Sequence, residues 1–247
     1  MRRFQFAILG GCAAVSGCLA PFSWPEDRHA VVAVPIAVPM SVPVAAPAEV
    51  PVAVASSADH LRLAAEFLDK GDDAGALPHL EAHVSANPNA VMMRAYFAEL
   101  LMRQDRTTAA VQQFERVVVD AQRETGAARA HLVHCHTRLM ELAEEHGDRY
   151  AEELHRGIGL LLLVQRWDGD LDRQDEAAAE RTLVKAVSSL KVALIEQPGD
   201  VRANLYLAEV YERLGQSSAA RSARTALANQ SLDGLTPAER DRLALAK

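Results

Sequence analysis

The chain has 247 residues, of which 49% are hydrophobic and 24% are charged, and its formal net charge at pH 7 is −7. This length and composition are sufficient for one globular or solenoid domain. Lys and Arg do not cluster anywhere, and neutralising the phosphates of a nucleic acid requires such a cluster, so we expect no nucleic-acid partner.

The N-terminal segment has the pattern of a secretory signal. Arg2 and Arg3 precede an apolar run, Phe6 to Val15, that is too short to span a membrane. The run leads into Val-Ser-Gly followed by Cys18, which resembles a bacterial lipobox. The resemblance implies that Cys18 is diacylated and becomes the N-terminus. The alternatives are an ordinary signal peptide with a chance cysteine and an uncleaved anchor.

The lipobox also predicts a location. Cleavage before Cys18 removes residues 1–17, and two or more acyl chains give a stable membrane anchor. Leu19 stands where lipoproteins retained at the inner membrane typically have Asp. We therefore expect attachment to the lipid bilayer of the outer membrane, on its periplasmic face, in a Gram-negative-type cell.

Residues 18–56 are rich in Pro, Ala and Val and are predicted to be a disordered tether. Prolines recur at every fourth position, at Pro35, Pro39, Pro43, Pro47 and Pro51. This spacing excludes both helix and ladder-paired strand and favours an extended spacer of about 3.1 Å per residue. The alternative is a docking motif for a proline-reading partner.

A repeated pattern begins at residue 57. It occupies residues 57–90, returns over 91–121 and appears again over 201–231. Small residues stand at positions 8 and 20 of each copy, and these are Ala64 and Ala76, Ala98 and Ala110, and Ala208 and Ala220. Gly71 and Gly215 occupy the turn position 15, where the second copy has Asp105 instead.

This joint pattern resembles the tetratricopeptide repeat, or TPR. The resemblance implies two antiparallel helices per unit that cross where the small residues meet. Units of this kind stack into a right-handed superhelix. The six alanines are therefore the predicted structural crossing points.

The middle of the chain follows the pattern less well. A half-copy ends at Pro198 and has Ala186, Leu190 and Ala193 at positions 20, 24 and 27, but its first-helix positions do not fit. Residues 127–167 are predicted to form a long irregular hairpin around Gly147. Residues 237–246 are predicted to form a capping helix, because Thr236 precedes a first-turn proline and Glu239 stands at the third helical position.

The first helix of the middle hairpin contains several possible metal ligands. They are His131, His134, Cys135, His136 and His146. His131 and Cys135 are four residues apart, a spacing that can place two ligands of zinc or copper on one helix face. A polar helix with one packed cysteine explains the same residues. No established metal motif is present, so we expect no metal.

The TPR resemblance also implies a binding surface. In that family the concave face is lined by positions 2, 5, 9 and 12 of each first helix. The side chains that we predict to line a partner groove are Leu61, Met92, Glu99, Met102, Arg202, Glu209 and Glu212. Their mixture of apolar and acidic groups suits a protein or peptide segment with hydrophobic anchors followed by Lys or Arg.

The sequence thus predicts an all-α, right-handed superhelical TPR-like solenoid of helical hairpins over residues 57–247, preceded by a disordered linker. No catalytic motif is present, and we expect neither a cofactor nor a small-molecule substrate. The predicted function is a non-catalytic interaction scaffold that assists assembly of a cell-envelope complex. The alternative is a metal-binding or enzymatic helical periplasmic domain.

Overall fold

The computed structural model describes residues 56–122, 127–167, 173–228 and 230–245. The predicted signal segment, Cys18 and nearly all of the predicted tether lie outside these residues. The described part is helical from end to end, and its helices are α1 (Ser57–Asp69), α2 (Asp73–Ala86), α3 (Val91–Arg103), α4 (Thr107–Ala121), α5 (Ala127–His146), α6 (Arg149–Trp167), α7 (Arg173–Glu196), α8 (Val201–Arg213), α9 (Ser217–Leu227) and α10 (Pro237–Leu245).

Helices that follow one another in the chain pack as hairpins. α1 packs on α2, α3 on α4, and α8 on α9. The turns within these hairpins reverse the chain at a residue with positive φ. This residue is Gly71 (φ 72°) in the first hairpin and Gly215 (φ 70°) in the last. In the second hairpin it is Asp105 (φ 54°), one of the few side chains that tolerate this conformation.

The alanines at the predicted crossing positions are buried in the hairpins. Ala64, Ala76, Ala98 and Ala110 have no exposed surface, and Ala208 and Ala220 are at most 2% exposed. A methyl group is the largest side chain that lets two helix backbones approach closely without displacing either. Larger side chains such as Phe114 and Tyr206 are buried in the same core cluster as these alanines.

Hairpins also pack on their neighbours. α2 packs on α3, α4 on α5, and α7 on α8. First helices touch across the stack as well, since α3 contacts α5. The prediction of an all-α, TPR-like solenoid of helical hairpins is therefore confirmed by the helices and their packing.

The middle of the stack consists of three long helices. α6 packs on both α5 and α7, and it also contacts α8, the first helix of the last hairpin. Gly157 of α6 lies against α7 so closely that a Cβ atom there would be 2.6 Å from Leu190 Cγ and 3.3 Å from the Ala186 carbonyl oxygen. The half-copy that ends at Pro198 thus has a first helix. That helix is α6, in which Gly157 lies against the position-20 residue Ala186. Position 8 at the regular spacing falls at residue 174, which lies in α7 itself, so the first-helix positions of the half-copy do not fit the repeat spacing.

α10 lies at the C-terminal end of the described residues. Its N-terminus is held by a capping box, in which the backbone N–H of Glu239 donates to Thr236 Oγ1 (3.2 Å) and the backbone N–H of Thr236 donates to Glu239 Oε2 (2.7 Å). Leu243 packs into a small apolar cluster that includes Val201, Leu205 and Leu227. Apolar surface of α8 and α9 is thereby shielded from water.

Among the described helices, none combines the length and the apolar character that a membrane crossing requires.

Candidate functional site

Two large apolar side chains on α3 are exposed on one face of that helix. Met92 and Tyr96 are each 39% exposed, and their spacing of four residues places them side by side. Two other predicted groove residues, Leu61 and Met102, are only partly exposed and pack against the core. Tyr96 was not among the predicted groove residues, because it stands at position 6, next to the positions that the TPR resemblance implies.

Glu99 shares this face of α3 and is held by side chains of α5. Arg138 donates to it through Nε (2.8 Å) and Nη2 (3.2 Å), and His134 Nε2 lies 2.7 Å from its Oε1. Burial opposes ionisation of Glu99, but the hydrogen bonds from His134 and Arg138 outweigh it, so the pKa of Glu99 lies below its usual range. Glu99 is therefore an ionised group that is already paired within the chain.

The other acidic residues of the predicted groove are paired as well. Glu209 accepts hydrogen bonds from Arg242 Nη1 at 3.3 Å to each of its oxygens, and Glu212 forms an ion pair with Arg224. The expectation that these acids attract Lys or Arg of a partner stays a prediction, and such a group would have to displace the arginines that bind Glu209 and Glu212 in the structure. Arginines of the same chain already neutralise them.

Tyr206 and Glu239 form the centre of a buried polar network between α8 and α10. Tyr206 donates its hydroxyl hydrogen to Glu239 Oε1 (2.9 Å) and accepts a hydrogen bond from Arg242 Nη2 (3.0 Å). Arg202 forms an ion pair with the same Glu239 oxygen at 3.3 Å. Burial, and then the charge of Glu239, raise the pKa of Tyr206, so its hydroxyl stays protonated and able to donate. The capping box predicted the position of Glu239 but not its burial.

A small cavity lies beside this network. It has a volume of about 80 Å³, and its walls include Gln122 at the end of α4, His136 of α5, Tyr206 of α8 and Ala238 and Arg242 of α10. The His136 side chain is buried, and its Nε2 atom has no hydrogen-bond partner. The cavity is too small for a substrate of ordinary size, so it is not a candidate active site.

The histidines and the cysteine of α5 do not converge on one point. His136 Nδ1 lies 3.0 Å from Nδ1 of His155 on α6, His134 faces Glu99, and His146 Nδ1 lies 2.6 Å from the Leu142 carbonyl oxygen. Cys135 is completely buried, and burial raises the pKa of its thiol to about 12. In the part of the chain that the structure describes, no three His, Cys, Asp or Glu side chains form a group that could hold a metal ion.

The His136 and His155 pair makes stability depend on pH. Burial and the charge of Arg202 lower the pKa of His155 to about 4, and burial followed by His155 and the nearby arginines lowers that of His136 well below its usual value. Both rings are therefore neutral in the folded chain at a pH where unfolded histidine, with a pKa of about 6.5, takes up a proton. The free energy of unfolding should therefore fall as the pH drops below about 6.5, at a rate on the order of 1 kcal/mol per pH unit for each histidine, because the unfolded chain takes up protons that the buried rings do not.

Urea unfolding at pH 7.5 and pH 5 measures this effect. His155→Gln should reduce the difference between the two pH values, because an amide does not titrate. The matched control is His146→Gln, which changes an exposed histidine on the neighbouring helix. Equal pH dependence in the two variants would show that the buried pair is not the source.

The comparisons with known proteins concern the fold. No protein-family model matches the sequence, and no curated protein is similar to it. Among solved structures, the chain is similar to the MamA protein, with 14% identity, a TM-score of 0.37 and coverage of 77% of this chain and 95% of the other. It is also similar to TTC0263, a thermophilic TPR protein of Thermus thermophilus, with 17% identity, a TM-score of 0.35 and coverage of 77% and 80%.

A third similar structure is the flexible tandem repeat domain of a bacterial cellulose synthase component. Its identity to the chain is 16%, its TM-score is 0.34, and the match covers 76% of this chain and 96% of the other. The class of protein is defined here by its own helices, as a solenoid of stacked helical hairpins.

Proposed function

We propose that the chain is a non-catalytic scaffold whose first-helix face holds a segment of another protein. The observation that carries the proposal is the exposed pair Met92 and Tyr96 on the first helix of the second hairpin. Met adapts its shape to different partners, and Tyr contributes a large rigid contact at low entropic cost. Met92 stands at one of the positions that the TPR resemblance implies for binding, and Tyr96 lies beside it, one helical turn further along.

Electrostatics at the α3 face supports an apolar rather than a basic partner side chain beside Met92 and Tyr96. Glu99, the acid nearest to this pair on the helix face, is already bonded to Arg138 and His134. A partner cation would have to displace these bonds. The most favourable contacts are therefore the burial of apolar partner side chains against Met92 and Tyr96.

Replacing the apolar pair should abolish capture of the partner. Met92→Glu with Tyr96→Glu in the full-length protein places two charges at the contact. We expect the affinity for a partner that has been identified in and purified from the membrane fraction to fall at least tenfold. Each buried charge without a partner is costly, while the two positions are exposed enough to leave the helix content unchanged. The measurement is the affinity for the purified partner by surface plasmon resonance.

The matched control is Val184→Glu with Ile195→Glu on α7. These two side chains are 55% and 73% exposed, so they offer equal or greater apolar surface on a different helix. The control variant should bind as the unchanged chain does. The reverse result, with weakened binding only in the α7 variant, would place the docking surface on α7.

We further propose that the scaffold is attached to the bilayer through acylated Cys18 and acts at the periplasmic face of the outer membrane in the assembly of an envelope complex. The support is the order of charged, apolar and small residues before Cys18. A tether of polyproline character would let the helical domain reach a partner away from the membrane surface.

Cys18→Ala should leave an uncleaved precursor and eliminate labelling by a palmitate analogue. Acylation requires a thiol at the end of the apolar run, and Cys12 lies inside that run, so it should not replace Cys18. The measurement is in-gel fluorescence after metabolic labelling, with Cys12→Ala as the control because Cys12 lies within the apolar run. Labelling that survives in Cys18→Ala would contradict the anchor.

A further inference from the structure

α10 binds the same face of α8 that was predicted to receive a partner. Glu239 of α10 accepts a hydrogen bond from Tyr206 and forms an ion pair with Arg202. Arg242 of α10 donates to Glu209, and its guanidinium lies 5.1 Å from the centre of the Tyr206 ring. Two of the three predicted groove residues of α8 are thus engaged by one short helix of the same chain.

An apolar contact accompanies these polar ones. Leu243 of α10 joins the cluster that contains Leu205, which stands at position 5 of its repeat. The α10 residues that make these contacts are Glu239, Arg242 and Leu243. The last two follow Glu239 by three and four residues, so all three lie on one face of the helix. This is the pattern by which an amphipathic helix docks in a groove.

We infer that α10 is an exchangeable occupant of the α8 face and that the partner segment is a helix of the same chemistry, which binds by displacing α10. The partner carries an acid that accepts from Tyr206, an arginine three residues later that pairs with Glu209, and a leucine after it. This inference rests on the proposed function as a scaffold and specifies the chemistry of its partner at the α8 end.

The size of α10 and its incomplete fit make exchange feasible. The helix has nine residues, and a helix of that length is marginal in water on its own. Between Ala238 and the wall of the stack the cavity of about 80 Å³ remains, and the unpartnered Nε2 atom of His136 borders it. Unfilled volume and a buried polar atom without a hydrogen bond both weaken the contact.

The cavity indicates which partner would bind more tightly than α10. A residue longer than Ala238 would fill the space, and a side chain that can both donate and accept would bond to either tautomer of His136. Gln meets both conditions and is a good helix former. A partner helix with Gln before the acid should therefore compete successfully with α10.

The probe is a fluorescent peptide with the sequence of residues 235–247, added to the full chain. Glu239→Ala in the full chain removes the acceptor for Tyr206 and for the cap of α10. The peptide should bind this variant at least tenfold more tightly than the unchanged chain, because the intramolecular competitor is weakened. Fluorescence anisotropy measures both affinities.

Changes in the peptide test the contacts one by one. Ala238→Gln should raise its affinity for the Glu239→Ala chain about tenfold, and Arg242→Ala should lower it to the same degree. Asp241→Ala is the matched control, since Asp241 is exposed on α10, and it should have no effect. Equal binding by the Arg242→Ala and Asp241→Ala peptides would overturn the proposed chemistry.

A second measurement uses the unchanged chain, so it does not depend on a variant that folds. Excess Ala238→Gln peptide should accelerate amide hydrogen exchange in α10 and leave α8 protected. No binding to the Glu239→Ala chain, together with unchanged exchange in α10, would overturn the inference. Because the probe comes from this chain, the result is independent of the Met92 and Tyr96 experiment, and failure of one leaves the other interpretable.

Discussion

Ala208→Trp is expected to destabilise the last hairpin more than any other single change discussed above. Ala208 is 1% exposed, and its counterpart across the hairpin, Ala220, is 2% exposed. An indole has no space there, so α8 and α9 must separate or repack. Overpacking of this kind costs about 3 kcal/mol, which corresponds to a melting midpoint lower by roughly 6 to 12 °C for a domain of this size.

Thermal unfolding followed by circular dichroism measures the effect. Ala226→Trp is the matched control, because Ala226 lies on the same hairpin in α9 and is exposed. It should change the midpoint little. If both variants unfolded at the same temperature, the crossing would not be at Ala208.

Gly157→Ala is expected to destabilise the middle of the stack although alanine is the better helix former. The added Cβ would lie 2.6 Å from Leu190 Cγ and 3.3 Å from the Ala186 carbonyl oxygen. Leu190 has no exposed surface, so it cannot rotate away without displacing other core side chains. The clash should outweigh the gain of about 1 kcal/mol in helix propensity and leave a net loss of roughly 1 to 2 kcal/mol.

Gly159→Ala is a close control for this change, since it lies in the same helix two residues away. A Cβ atom at Gly159 would meet only His136 Cβ at 3.5 Å, which is an ordinary contact. The propensity gain should therefore appear in full as higher stability. Opposite signs for the two variants in urea unfolding would support the contact of α6 with α7, and a gain in both would argue against it.

The regular hairpins were predictable from sequence because their geometry is local. A first helix, a short turn and a second helix fix the distance along the chain between the two small residues, as between Ala98 and Ala110. In the middle of the chain the crossing partners are Gly157 and Ala186, which are separated by additional helical turns and a longer connection. A search at fixed spacing therefore finds Ala186 and misses Gly157.

The candidate site was only partly predictable, because its charges are paired over long distances. Glu99 is 39 residues from Arg138, and Glu209 is 33 residues from Arg242. Sequence spacing within a repeat identifies which side chains share a helix face, but it does not show which arginines from other helices reach that face. Met92 was predicted from its position in the repeat, whereas the exposure of Tyr96 depends on the packing of the helices and emerges only from the three-dimensional arrangement.

The buried thiol of Cys135 has a practical consequence for the study of motion in this chain. Its pKa of about 12 results from burial first and from the charge of Glu99 second, so at neutral pH it is neither ionised nor accessible to reagents. A maleimide can modify it only while α5 is transiently separated from its neighbours. The rate of that modification therefore reports how often the centre of the stack opens, without any probe having to be introduced.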